Sequence, residues 1–285
     1  MTHPTRRHLV VTADDFGLST EVNEAVEQAH RGGILGAASL MVGAAAAADA
    51  VNRAHRLPGL RVGLHLALVE AQPLLRVAEV EGLVGADGWF RRDTAAYGAA
   101  IFFRPSLRRQ VEAEVEAQFA AFARTGLALD HVNAHQHFHL HPVVAAAMMR
   151  IGARYGMRAV RLPAEPQQII RAIEPAASGM LAAITRPWTA RLGRQLRARG
   201  FRVPDAVFGL AWTGAMTAAR ITAIVERLPD GLTEIYTHPA TAGGFQGAAP
   251  GYRYADELAA LMDPALKAAV QRSEASLGGF SDALA

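Results

Sequence analysis

The sequence predicts one α/β domain with a mainly parallel sheet, arranged either as a barrel or as a doubly wound layer. Three observations favour this fold. Short apolar runs alternate with segments of helical period from end to end. The chain has 285 residues, of which 51% are hydrophobic, enough for one large core. No linker or internal repeat divides it, so we expect a single domain over residues 1–285.

The first half of the chain begins with an apolar run at 8–12 that breaks at Asp14 and Asp15, which predicts a buried strand ending in two carboxylates. A segment of helical period follows and ends at Gly33. We predict further strands at 34–42 and 62–68, and helices at 44–56 and 106–126. Residues 69–105 show no sustained period, so we expect a long loop of the kind that often serves as a lid or binding loop.

The second half contains a histidine-rich stretch at 131–141, which we predict to be a strand. We predict helices at 143–155, 218–228 and 256–276, the last with an interruption at Pro264, and strands at 159–162, 206–212 and 232–236. Residues 163–204 differ in character and predict a helical arginine-rich insertion, in which 185–199 holds five arginines and Trp188. A solvated helix face is the simpler interpretation, but a basic amphipathic helix with a tryptophan also suits an anionic membrane surface.

The composition excludes several kinds of site. The chain has no cysteine, so it has no disulfides, thiol nucleophiles or Cys-bound zinc, and any metal must be held by His, Asp or Glu. The formal charge of +3 is only mildly basic and does not indicate nucleic-acid binding. The apolar runs are too short for a signal peptide or a membrane span. We therefore expect a cytoplasmic protein, peripheral to the inner membrane at most.

Histidine is concentrated in the stretch 131–141, which holds five of the eleven histidines. In an extended chain alternate side chains point the same way, so this run could aim two or more imidazoles at one point. Imidazole is the commonest metal ligand, although a polar loop rich in histidine is the alternative. Further polar clusters at 12–17, 63–66 and 237–239 lie where strands should end, and parallel barrels form their active sites at the carboxyl ends of strands.

These clusters carry the side chains that a hydrolytic metal site needs. Of the neighbouring carboxylates Asp14 and Asp15, one could bind a metal while the other accepts a proton from water, although a capped turn is the simpler interpretation. His65 alone would be an ordinary core histidine. With Asp15 and a histidine of 131–141, it completes a set of two imidazoles and one carboxylate. Such a set leaves a position open for water, as catalytic sites require.

Four motifs resemble, in order and spacing, those of the YdjC-like carbohydrate deacetylases: Thr-Ala-Asp-Asp-Phe-Gly at 12–17, Gly-Leu-His-Leu at 63–66, the histidine run, and Thr-His-Pro at 237–239. The resemblance covers nearly the whole chain. It implies a distorted (β/α) barrel of the polysaccharide-deacetylase type. It also implies one divalent metal ion (Zn²⁺, Mg²⁺, Mn²⁺ or Co²⁺) and hydrolysis of the N-acetyl group of an amino sugar such as N-acetylglucosamine.

The resemblance further implies roles for individual residues. The expected metal ligands are Asp15, His65 and His135, with His139 as a substitute. The expected catalytic residues are Asp14 as general base, His238 as general acid or oxyanion donor, and Arg161 as the residue that orients the base. The residues predicted to contact substrate are Asn133 and Phe16. The roles of His137 and His141 are left open.

The chain departs from many of these relatives, which have Asp-Ser-His where it has Asn133-Ala134-His135, so ligand basicity or substrate choice is expected to differ. With the arginine-rich segment, this form resembles the subgroup associated with hopanoid biosynthesis. That resemblance implies a lipid-linked N-acetylglucosaminyl substrate, which the helix at 185–199 and the apolar residues around Phe102 would suit. Peripheral membrane contact through 185–199 and a homodimer are further expectations.

Three alternatives stay open. The enzyme could act on soluble chito-oligosaccharides. Two histidines and one carboxylate also describe non-haem Fe(II) oxygenases, which would not need the second aspartate or His238. The third alternative is a protein that binds a metal without turnover, in which Asp14→Asn would leave metal binding, its only activity, intact.

Overall fold

The computed structural model describes residues 7–177 and 180–284. Its strands are β1 (His8–Phe16), β2 (Ala37–Leu40), β3 (Arg61–Leu66), β4 (Val132–Ala134), β5 (Ala206–Phe208), β6 (Leu232–Thr237) and β7 (Ser276–Gly278). Its helices are α1 (Thr20–Gly32), α2 (Ala47–His55), α3 (Thr94–Phe103), α4 (Pro105–Arg124), α5 (Pro142–Arg154), α6 (Gln167–Ile173), α7 (Met180–Ala198), α8 (Ala218–Val225), α9 (Tyr254–Leu261) and α10 (Pro264–Arg272). Short 3₁₀ segments lie at Val77–Glu79, His135–Leu140 and Asp282–Leu284.

The strands form one parallel sheet in the order β4-β3-β2-β1-β6-β5, and β7 pairs with the start of β1. The sheet curls so that its two edges approach each other across an irregular segment. At one edge Val132 of β4 forms an isolated parallel bridge with Val160. At the other edge the N–H of Val207 in β5 donates to the carbonyl of Ala164 at 3.1 Å. The predicted distorted barrel is thus confirmed as a curled half-barrel, and the doubly wound alternative is wrong.

β1 lies at the centre of the sheet because its side chains are suited to burial on both faces. Residues 9–16 are all buried, as parallel strands usually are. On the following helix α1, the buried side chains are Val22, Asn23, Ala25, Val26 and Ala29. The predicted end of this helix at Gly33 is confirmed, and a Cβ at that position would lie only 2.2 Å from the carbonyl oxygen of Leu261. The close approach of α9 therefore requires a glycine here.

One predicted loop differs from the structure, and one predicted helix break is confirmed by it. The loop predicted at 69–105 is wrong in its last part, where α3 forms. The α3 sequence is apolar nearly all round with a central Gly98, so no helical stripe is visible in it. The interruption predicted at Pro264 in the helix at 256–276 is confirmed: α9 ends at Leu261 and α10 begins at Pro264, and the Asp263 carboxylate caps α10 by accepting from the Ala265 N–H at 2.7 Å.

The short strands at the sheet margins are the least well predicted. β7 is absent from the sequence prediction because three residues, with Leu277 42% exposed, carry no detectable period. β7 pairs with the first part of β1, His8–Val10. β2 pairs with the later part of β1, from Thr12 onward. The strand predicted at 159–162 forms only isolated bridges. Of the strand predicted at 206–212, only the first three residues, β5, are strand.

The arginine-rich segment contains α6 and α7. Leu192 and Leu196 of α7 are buried, whereas Trp188, one turn earlier, is 52% exposed. α7 therefore packs through its second half and leaves its tryptophan in solvent. Among the residues of the two described ranges, no helix has both the length and the apolar character of a membrane span.

Candidate active site

A cavity of about 1240 Å³ opens at the carboxyl ends of the central strands. Its walls include Asp14 and Asp15 in β1, His65 in β3, His135 after β4 and His238 after β6. Parallel strands present their carboxyl ends at one edge of a sheet, so motifs distant in sequence meet there. The structure thus brings all four predicted polar motifs to one cavity.

The predicted metal ligands Asp15, His65 and His135 form a cluster whose ligand atoms all lie within 4.8 Å of one another. Asp15 Oδ1 is 3.3 Å from His65 Nε2 and 3.2 Å from His135 Nδ1. The backbone of β1 creates this geometry, because its register against β2 shifts between Ala13 and Phe16 and Asp15 has a φ of 61°. Such irregularities near strand ends re-aim side chains.

The cluster fits a divalent cation. His65 Nδ1 lies 2.6 Å from the Asn133 side-chain oxygen, which can only accept, so Nδ1 carries the proton. His65 Nε2 is buried, has no hydrogen-bond partner and faces Asp15 with a free lone pair. Burial lowers the pKa of His135, but the Asp15 carboxylate more than offsets this and raises it. Two imidazoles and a carboxylate are the ligand set of several catalytic zinc sites.

Asp14 is held by the fully buried Arg161. The guanidinium donates to both Asp14 oxygens, from Nη1 to Oδ2 and from Nη2 to Oδ1 at 2.9 Å. Burial would raise the pKa of Asp14, but Arg161, His65 and His238 hold it well below its ordinary value. The carboxylate is therefore ionised at neutral pH, beside the three candidate metal ligands.

Glu234 is a buried residue that the sequence analysis missed. Its carboxylate accepts from Arg161 Nε at 3.0 Å and from the Thr12 hydroxyl at 2.8 Å. Arg161 is thus shared between two buried carboxylates, those of Asp14 and Glu234. The signal was a lone glutamate inside the apolar run of β6, where an unpaired charge would be costly.

His238 lines the cavity at the end of β6, which pairs with β1, and is 9% exposed. Its ring packs 5.0 Å from that of Tyr252, and its Nδ1 is buried without a hydrogen-bond partner. Its backbone N–H donates to the buried carboxylate of Glu257, which also accepts from the Met216 N–H at 2.8 Å. Burial raises the pKa of Glu257. Glu257, also missed from the sequence, fixes the backbone that carries His238.

The histidine run is not the extended strand that the sequence predicts. Only Val132–Ala134 is strand, and the 3₁₀ segment after it contains Gln136 and His137 with φ values of 51° and 53°. Left-handed residues turn the chain, so the alternate imidazoles do not share one face. Their ring nitrogens bond elsewhere: His137 Nε2 to the Tyr236 hydroxyl at 3.2 Å, His139 Nε2 to the Arg161 carbonyl at 3.0 Å, and His141 Nε2 to the Gly98 carbonyl at 3.1 Å. In the structure His135, not His139, joins Asp15 and His65.

The two residues predicted to contact substrate lie beneath the cavity. Asn133 and Phe16 are both fully buried, and neither contributes to the cavity wall. Asn133 donates to Asp14 Oδ1 at 3.0 Å and to the Ser39 hydroxyl at 2.8 Å, in addition to accepting from His65. It therefore links the candidate base to a candidate metal ligand.

The chain is similar to a known protein family and to relatives named carbohydrate deacetylase. A family model described as YdjC-like protein matches residues 8–272. A carbohydrate deacetylase of Geobacillus stearothermophilus is 31% identical over 268 residues, 92% of this chain and 92% of that protein. A carbohydrate deacetylase of Vibrio vulnificus is 37% identical over 147 residues, 52% of this chain and 56% of that protein.

A solved structure supports the fold alone. A protein of Enterococcus faecalis, provisionally named a cellobiose-phosphate cleavage protein, aligns with a TM-score of 0.76 and 21% identity, over 97% of this chain and 98% of that one. The family assignment comes from the sequence matches, because the family model spans residues 8–272 and the Geobacillus relative matches almost end to end. The chain belongs to the YdjC-like family.

Proposed function

We propose that the protein is a metal-dependent carbohydrate deacetylase that hydrolyses the N-acetyl group of an N-acetylglucosamine-type sugar to acetate and a free amine. The single observation that carries this proposal is the Asp15–His65–His135 cluster with an ionised Asp14 beside it in one cavity. The relatives named carbohydrate deacetylase support the substrate class. An aspartate outside the cluster, Asp14, next to one within it, Asp15, suits hydrolysis better than oxygenation.

The residues around the cavity divide the reaction between them. When bound at Asp15, His65 and His135, a divalent ion supplies Lewis-acid polarisation and lowers the pKa of water. Asp14 accepts the proton of the attacking water, and Arg161 holds its carboxylate in place while Glu234 shares the guanidinium charge. As the C–N bond breaks, His238, which also lines the cavity, donates the proton that the leaving amine needs.

The proposed substrate is lipid-linked, of the N-acetylglucosaminyl-hopanoid type. A cavity of about 1240 Å³ exceeds the range of about 300–1,000 Å³ usual for small-molecule sites, so it has room beyond one sugar ring. Apolar side chains contribute much of its wall, among them Leu18, Met41, Leu74, Trp89 and Phe138. This lining suits an apolar group attached to the sugar better than a second hydrated sugar.

Membrane contact through 185–199 is part of this proposal, with a cytoplasmic location at the inner membrane. Exposed apolar side chains flank the cavity: Phe102 and Phe103 of α3, 43% and 76% exposed, and Ile184 and Trp188 of α7, 60% and 52% exposed. The rings of Phe102 and the cavity residue His141 are 6.4 Å apart, and Thr185 of α7 also lines the cavity. The arginines of α7 would favour anionic lipids.

The test compares acetate release from an N-acetylglucosaminyl hopanoid and from soluble N-acetylated chito-oligosaccharide, each with added divalent metals. The proposal expects metal-dependent release and a preference for the lipid. Equal rates, or preference for the soluble sugar, would refute the lipid substrate and keep the chemistry. Oxygen consumption with 2-oxoglutarate would instead indicate an oxygenase.

Trp188→Ala and Phe103→Ala should weaken binding to anionic vesicles, and unchanged binding would refute the membrane contact.

A further inference from the structure

A chain of buried side chains connects the interior of the fold to the candidate metal ligand His65. Its members, in order, are Asp130, His131, Ser39, Asn133 and His65, none more than 5% exposed. The successive contacts measure 2.8, 3.0, 2.8 and 2.6 Å. The first three side chains do not line the cavity, and the proposed reaction makes no use of them.

The direction of each hydrogen bond follows from the Asp130 end. The Asp130 carboxylate accepts from the Phe280 N–H at 3.1 Å and from the Ser281 N–H at 2.9 Å. Burial would raise the pKa of Asp130, but the hydrogen bonds from His131 and Ser281 lower it to about 2. An ionised carboxylate can only accept, so His131 Nδ1 carries a proton. In the neutral ring, His131 Nε2 then accepts from the Ser39 hydroxyl.

This order fixes the orientation of the Asn133 amide. Because the Ser39 hydroxyl proton is directed at His131, its oxygen is free to accept from Asn133 Nδ2. The second Nδ2 proton is donated to Asp14 Oδ1 at 3.0 Å. Two acceptors therefore hold the NH₂ group, and the amide oxygen is turned toward His65 Nδ1. A reversed amide would set its oxygen against a carboxylate and its NH₂ against His65.

We propose that Asn133, oriented by Ser39, His131 and Asp130, is a positioning residue that keeps the proton of His65 on Nδ1 and thereby raises the affinity of the site for a divalent metal. A histidine with its proton on Nδ1 presents the Nε2 lone pair to the cation, whereas the other tautomer blocks it. An aspartate in this place would need no such orientation, since both of its oxygens accept. A neutral amide must be oriented with its oxygen toward His65, and the buried hydrogen bonds from Asp130 to Ser39 provide that orientation. This inference rests on the proposed metal site.

The tautomers can be measured without any metal. Two-dimensional ¹H–¹⁵N NMR of the histidine rings in the metal-free full-length protein distinguishes the Nδ1–H and Nε2–H forms. We expect His65 and His131 to be Nδ1–H in the wild type, and His65 to lose that preference in Ser39→Ala and Asp130→Asn. A wild type with His65 in the Nε2–H form, or variants that keep the Nδ1–H form, would overturn the proposal.

The functional consequence is tested by titration with Co²⁺, whose absorption spectrum reports ligand geometry. Changes around metal-bound histidines typically lower affinity 10–100-fold, and we expect about tenfold for Ser39→Ala because Asp14 still holds one amide proton. The matched control is Thr233→Val, which removes another buried hydroxyl, one without a hydrogen-bond partner, and should leave the Kd unchanged. An unchanged Kd in Ser39→Ala would refute the proposal.

A double-mutant cycle separates orientation from general structural damage. In an Asp130→Asn background, adding Ser39→Ala should change the Kd less than twofold, because the chain that orients the Asn133 amide is already broken at its start. An equal loss in both backgrounds would overturn the proposal. A wild type that binds no divalent metal at all would refute the proposed function instead, while the tautomer measurement would still decide the positioning of His65.

Discussion

The shared guanidinium of Arg161 allows the sharpest test of the site's electrostatics. In Arg161→Met, the buried carboxylates of Asp14 and Glu234 lose the cation to which both now bind at 2.7–3.0 Å. Removing one partner of a buried ion pair typically costs about 3–5 kcal/mol. For a chain of this length the entropy of unfolding is about 0.6 kcal/mol/K, so the melting temperature should fall by roughly 5–8 °C.

The same variant should change the pH dependence of stability. In the wild type the lowered pKa of Asp14 stabilises the fold above the unfolded value, and this contribution is lost only as the pH falls toward the lowered pKa. Without Arg161, burial and mutual repulsion raise the pKa of at least one of the two carboxyls. That group's contribution is present at low pH and is lost as the pH rises through the raised pKa. The deficit of the variant should therefore be larger at pH 8 than at pH 5.

Calorimetry in EDTA at both pH values measures this deficit. The control is Arg150→Met, which removes a half-exposed arginine paired with Glu112 at 2.9 Å and should change stability by less than about 1 kcal/mol. If Arg161→Met melted within about a degree of the wild type at pH 8, Arg161 would not stabilise the fold by pairing with Asp14 and Glu234. A deficit that shrinks as the pH rises would refute this stabilisation equally.

Two further predictions concern stability away from the site. Asp130→Asn should lower the free energy of unfolding by about 2 kcal/mol at pH 7, because the pKa of Asp130 is about 2 in the fold and 3.8 in an ordinary aspartate. This deficit should narrow between pH 4 and pH 2, as urea titrations can measure. Gly33→Ala should cost about 1–3 kcal/mol, because its Cβ would meet the Leu261 carbonyl oxygen, whereas the solvent-facing Gly243→Ala, with nothing near its Cβ, serves as the control.

The central part of the fold was predictable because its signals are local. The apolar run that ends at Asp14 and the helical period after it are visible in sequence, and parallel strands carry their carboxyl ends to one edge. The convergence of Asp15, His65 and His135 on one cavity follows from that rule. The half-barrel, rather than a doubly wound sheet, depends on how far the sheet curls, which no local pattern encodes.

The rest of the site depends on contacts between distant segments. The left-handed Gln136 and His137 turn the histidine run away from the extended form, and neither residue type signals this in sequence. Glu234 interacts with Arg161 from 73 residues away. The role of Asn133 beneath the cavity depends on Ser39, which is 94 residues away. The sequence motifs locate Asn133 and the histidines, but their partners are known only from the packing of the folded sheet.

In the proposed site, Asp14 accepts the proton of the attacking water, while Asp15, His65 and His135 hold the metal. The most direct measurement follows acetate release and metal content together in the wild type, Asp14→Asn and His65→Ala. We expect Asp14→Asn to retain the metal and lose acetate release, and His65→Ala to lose both. Acetate release that persists in Asp14→Asn, or a wild type that binds metal but releases no acetate from any acetylated amino sugar, would contradict the account.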